Sequence, residues 1–108
     1  MTKQLGVLGY PLAHSISPLF HQAALDYLGL DARYSAWETE PSQLQDRVEY
    51  LRGGDVLGAN VTIPHKERVL SMMDELDAAA KDIGGVNTIV NRGGSLKGYN
   101  TDAPGFMR

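Results

Sequence analysis

The chain contains no cysteine. That excludes disulfides, thiol nucleophiles and Cys-ligated metal, and it fits a reducing compartment. No apolar run approaches membrane-spanning length. The start, Met1 to Gly9, has only a short apolar stretch broken by Gly6 and Gly9. It lacks a signal-type h-region and cleavage site and reads as a buried strand, so the expected location is the cytoplasm. There is no basic run: 10 Lys+Arg stand against 13 Asp+Glu, a net charge of −3. Nucleic acid and anionic membrane surfaces are therefore poor partners. No G-x-G-x-x-G follows a strand and no G-x-x-x-x-G-K-[ST] occurs, so the chain carries no nucleotide-binding loop. His14, His21 and His65 have no metal-site spacing and no carboxylate cluster to help them, so no metal is expected.

What remains is an ordinary globular composition. Hydrophobic residues make up 43% and charged ones 21% of 108 residues, enough for one domain with a real core. That length is small for a complete enzyme of two substrates.

Leu5 to Leu8 reads as a central strand, followed by a loop from Gly9 to Ile16. Ser17-Pro18 opens a helix, Ser as N-cap and Pro at the first helical position, with Leu19, Phe20, Ala23, Ala24, Tyr27 and Leu28 on one face. Tyr34 to Thr39 is a second strand, and Glu40 to Arg52 a second helix with Leu44, Val48 and Leu51 on its inner stripe. Leu57 to Ile63 is a third strand, stopped by Pro64. Lys66 to Met73 then predicts a short helix and Asp74 to Asp82 another. Val86 to Asn91 and Leu96 to Tyr99 form a hairpin around Arg92-Gly93-Gly94-Ser95. The pattern predicts an α/β, three-layer domain: a mainly parallel sheet flanked by helices, with a C-terminal β-hairpin. Thr101 to Phe106 opens a further helix one turn before the last residue, as in a piece of something longer.

Polar residues gather at the strand ends. Asn60 and Thr62, two apart, share one face at the end of the third strand, with Lys66 just beyond. In α/β proteins ligands sit beyond the carboxyl ends of parallel strands. Ser15 and Ser17 put two hydroxyls at a helix N-terminus, which suits a carboxylate. Asn87 follows a Gly84-Gly85 pair, and Asp102 ends the hairpin's second strand. Each has a plainer role too: Asn60 and Thr62 satisfying backbone groups, Ser17 and Asp102 capping helices, Asn87 closing a turn, Lys66 a solvated charge. Taken together, the set suits a small, polyhydroxylated, carboxylated ligand. Lys66 beside Asp102 would make a proton-transfer pair at an alcohol or ketone, its deprotonation eased by the helix N-terminus expected there.

His14-Ser15-Ile16-Ser17-Pro18, Asn60-Val61-Thr62-Ile63-Pro64-His65-Lys66, Gly85-Val86-Asn87-Thr88 and Asn100-Thr101-Asp102 with Gly105-Phe106 resemble the successive motifs of the shikimate dehydrogenase family. The resemblance runs the whole chain in order. It implies that residues 1–108 are an N-terminal substrate-binding domain, whose C-terminal NADP-binding Rossmann partner is absent from this chain. The activity implied is NADPH-dependent, reversible reduction of 3-dehydroshikimate to shikimate in aromatic amino-acid biosynthesis, with the isolated domain inactive. It further implies that Ser15 and Ser17 hold the substrate carboxylate and that Asn60, Thr62, Asn87 and Asp102 bind ring hydroxyls. Lys66 becomes the catalytic acid/base, assisted by Asp102. Departures are peripheral: Gln22 where Asn is frequent and Gly85 where Ala is common, while Ser17 leans toward shikimate over quinate. Two alternatives stay open: a quinate/shikimate dehydrogenase of broader range, and a non-catalytic shikimate- or quinate-sensing module. An uncovered interdomain face would favour self-association, such as a homodimer.

Overall fold

A computed structural model describes residues 3–10, 29, 32–62 and 65–101. Along them run β1 (Lys3–Gly9), β2 (Ala32–Glu38), a 3-10 turn (Pro41–Gln43) leading into α1 (Leu44–Tyr50), and β3 (Val56–Val61). A second 3-10 turn (Leu70–Met72) is followed by β4 (Glu75–Leu76), α2 (Ala78–Ile83), β5 (Thr88–Arg92) and β6 (Ser95–Tyr99). The strands form one sheet in the order β2-β1-β3-β5-β6-β4. Parallel pairs join β1 to β2, β1 to β3 and β4 to β6; β5 runs antiparallel to both β3 and β6. The sheet is thus mixed, with a parallel majority of pairings. The expected helix after Ser17 lies outside the described residues.

The core forms on the face where Leu8 stands opposite Trp37 and Val61. Leu44, Val48 and Leu51, the stripe expected of α1, pack into the same buried cluster, each at most 1% exposed. Burying a side chain of this size is worth about 1.5–3 kcal/mol. The hairpin turn is Gly93-Gly94, both at positive φ, as a two-residue turn between right-twisted strands requires.

Two segments depart from the expected helices. Between Lys66 and Met73 there are only turns before the 3-10 turn. In an α-helix the Lys66 carbonyl would accept from residue 70, but here it accepts from Val86 N at 2.8 Å, and Leu70 N bonds to Glu67 instead. Sheet contact has displaced helix contact. Similarly, Glu75 and Leu76 pair with Lys97 and Gly98 of β6, and the helix starts only at Ala78. Asp77 marks that start: its side chain accepts from Ala80 N at 2.8 Å.

Asp74 ties this edge to α1's end. Its Oδ2 accepts from Arg52 at 2.6 Å and from Leu96 N at 2.7 Å. The Arg52 hydrogen bond, then the Leu96 amide, hold its carboxyl below the ordinary value of 3.8. A carboxyl lowered by folding adds stability above its unfolded pKa, and that stability fades as pH falls toward the folded value. Arg52→Ala is therefore expected to move the Asp74 midpoint up toward 3.8, read from its side-chain carboxyl ¹³C shift. An unmoved midpoint would refute the pairing.

Candidate active site

The end of β3 is held from both sides. Asn60 stands opposite Val7 of β1 and Thr88 of β5. Beyond it, Thr62 N donates to Leu8 O at 2.8 Å and Val61 N to Asn87 O at 2.8 Å. Asn60 and Thr62 are half-buried. The Asn60 Oδ1 accepts from the Tyr34 hydroxyl at 2.7 Å. Thr62 O accepts from His65 N at 3.0 Å just beyond the strand's end.

The segment from His65 onward is anchored by a residue to which the sequence assigns no role. His65 is fully buried, and its Nε2 lies 2.6 Å from the Thr39 carbonyl. A carbonyl only accepts, so Nε2 carries the hydrogen; Nδ1 has no partner among the described residues. Thr39 N in turn donates to Gly9 O at 3.0 Å. The histidine thus ties the segment bearing Lys66 to the ends of β1 and β2, a role visible only once distant strands are placed together. Lys66 is half-buried, and its carbonyl bond to Val86 N sets it against the approach to β5. A Cβ added at Gly85 would lie 3.9 Å from Lys66 Cβ. Because residues 66–69 are turns, Lys66 does not stand at an α-helix N-terminus, contrary to the sequence expectation.

Asn87 uses its amide within the protein. Nδ2 donates to Thr101 Oγ1 at 2.9 Å, while Oδ1 accepts from Thr101 N and Thr88 Oγ1, each at 3.0 Å. Asn100, 4% exposed, donates through Nδ2 to Gly85 O at 3.1 Å. The two amides pin the end of β6 to the start of β5, immediately before residue 102. Ser15, Ser17 and Asp102 lie outside the described residues.

One backbone network therefore brings together Asn60, Thr62, Lys66 and Asn87, at the carboxyl ends of β1 and β3 and the mouth of the β5–β6 hairpin. Hydroxyl, amide and ammonium groups here can hydrogen-bond a polyol and move a proton. Among the described residues no group of three His, Cys, Asp or Glu could hold a metal ion. A surface pocket of about 270 Å³, lined by Thr39, Gln43, Asp46, Arg47 and Tyr50, includes none of these candidates.

Residues 7–89 match the family model of the shikimate dehydrogenase substrate binding domain. The shikimate dehydrogenase (NADP(+)) of Symbiobacterium thermophilum is 52% identical over 103 residues, 95% of this chain but 35% of that protein. A crystal structure of Thermus thermophilus shikimate 5-dehydrogenase in complex with NADP(H) and shikimate superposes with a TM-score of 0.90 at 43% identity, over 98% of this chain and 40% of that one. The ligand-free 5-ketofructose reductase of Gluconobacter sp. strain CHM43 also reaches 0.90, at 33% identity, over 94% of this chain and 37% of its own. The chain spans little more than a third of the curated relative's length. By its family match and the fold of its site, the chain belongs to the shikimate dehydrogenase substrate-binding domain family.

Proposed function

We propose that this chain is the substrate-binding half of an NADP-dependent shikimate dehydrogenase and carries the residues that handle the substrate's proton. The reaction is the reversible reduction of 3-dehydroshikimate to shikimate. The observation that carries the reading is the convergence of Asn60, Thr62, Lys66 and Asn87 at the carboxyl ends of parallel strands. Ser15 and Ser17 hold the substrate carboxylate; Asn60, Thr62, Asn87 and Asp102 bind its hydroxyls. Lys66, assisted by Asp102, gives a proton to the carbonyl oxygen during reduction and takes it back during oxidation. NADP supplies or accepts the hydride. This chain has no glycine-rich dinucleotide loop that would cradle a pyrophosphate. The cofactor is therefore assigned to a C-terminal Rossmann domain, within the part of the relatives that this chain does not span, and the enzyme to the cytoplasm.

An NMR titration of the ¹⁵N-labelled chain tests the reading. Shikimate is expected to shift Thr62, Lys66 and Asn87 saturably, with no response to NADP. No response to shikimate would overturn the reading, and tighter binding of quinate in competition would replace it with a quinate enzyme. The same sample's rotational correlation time distinguishes a monomer from a homodimer.

A further inference from the structure

Tyr34 stands on β2, two strands away from Asn60, with β1 between them. Its register partner on β1 is Leu5, and that of Asn60 is Val7. Leu5 and Val7 lie two apart on one strand and share a face, so Tyr34 and Asn60 do as well. Two interstrand spacings, about 9.6 Å, separate their strands. A tyrosine is long enough to cross much of that gap, and its hydroxyl ends 2.7 Å from Asn60 Oδ1. The ring is almost wholly buried, 8% exposed, whereas Asn60 is half-buried.

An asparagine amide can turn over, exchanging its acceptor oxygen for its two N–H donors with little change of shape. A phenol also accepts, but it donates more strongly than it accepts, and an amide oxygen is the better acceptor of the two. The pair therefore favours Oδ1 toward Tyr34 and breaks that symmetry. With the oxygen engaged by Tyr34, the amide has Nδ2 and its two hydrogens left for other contacts. The sequence gives no sign of this, because Tyr34 reads only as an apolar strand residue.

We propose that Tyr34 is a positioning residue that locks the Asn60 amide, so that Asn60 meets the ligand as a hydrogen-bond donor. The role rests on the shikimate-binding reading above and makes it more specific. The ligand group at Asn60 is an oxygen offering a lone pair, hydroxyl or carbonyl, and a ring carbon without that oxygen is rejected. The penalty for such a ligand comes from leaving a desolvated N–H unpaired.

The test is a shikimate titration of ¹⁵N-labelled chain, followed at backbone amides and at the Asn60 side-chain NH₂. In the unsubstituted protein the Asn60 NH₂ signals are expected to shift with shikimate. In Tyr34→Phe, affinity falls about tenfold and the Asn60 NH₂ response is lost, while Lys66 and Asn87 still respond. Asn60→Ala loses affinity by a similar factor, and adding Tyr34→Phe to it costs nothing further. If Tyr34 served only the fold, the two losses would multiply and the Asn60 NH₂ would respond as before; either result overturns the role. Should Tyr34→Phe lose its native spectrum, Asn60→Asp decides, since it keeps the acceptor and removes the donor. Loss as large as in Asn60→Ala supports the donor role, and affinity close to the unsubstituted protein refutes it. A wild-type chain that ignores shikimate overturns the functional reading itself, and this role with it; a wild-type response unchanged in Tyr34→Phe overturns the role alone.

Discussion

Lys66→Ala, introduced into a full-length dehydrogenase carrying this domain, is expected to lower turnover by about 10²–10⁴-fold, the usual contribution of a positioned general acid or base. The fall should appear chiefly in kcat, because on the proposed reading Asn60, Thr62 and Asn87 keep their contacts with the substrate. The substitution also leaves intact the backbone bond that sets this segment, since the Lys66 carbonyl, not its side chain, receives Val86 N. Steady-state kinetics with shikimate and NADP make the measurement. Full turnover in the variant would remove Lys66 from the chemistry and leave the non-catalytic sensing alternative in its place.

Gly58→Ala is expected to destabilise the domain by about 3 kcal/mol, at the upper end of overpacking effects. Gly58 stands opposite Val90, where β3 runs against β5. A Cβ there would run into the Ile89 carbonyl, with Ile89 C at 3.2 Å and Val90 Cα at 3.3 Å behind it. These are backbone atoms of a sheet partner, so no side-chain rotation relieves the collision, and the strands must separate. The damage reaches the site, because Asn60 lies two residues along β3 and Asn87 just before β5. Shikimate affinity should therefore fall together with stability. Gly54→Ala is the control: nothing among the described residues lies within 4 Å of an added Cβ there. Urea unfolding of both variants gives the answer, and a Gly58→Ala midpoint equal to that of Gly54→Ala would contradict the packing described.

Local signals in the chain translated directly into structure. The Leu44, Val48 and Leu51 stripe became the buried face of α1, because a 3.6-residue period selects one side of a helix whatever it packs against. Gly93-Gly94 became the hairpin turn because positive φ at both positions is cheap only for glycine. The polar pair Asn60 and Thr62 could be recognised at a strand end, and the order of motifs along the chain identified the family.

What the sequence by itself determined, then, was five of the six described strands, where α1 and the hairpin lie, and which polar residues gather at strand ends. Tertiary structure alone decided the rest, since hydrogen bonds between segments far apart in the chain leave no periodic trace. The Val86–Lys66 bond replaced a helix with turns, and pairing with β6 drew Glu75 and Leu76 into a strand. The same kind of contact oriented the site: His65 reached Thr39, Asn87 reached Thr101, and Tyr34 reached Asn60 across β1. The His65–Thr39 bond lies in the core and satisfies a carbonyl that burial would otherwise leave without a partner, and only the folded chain shows which atom that is.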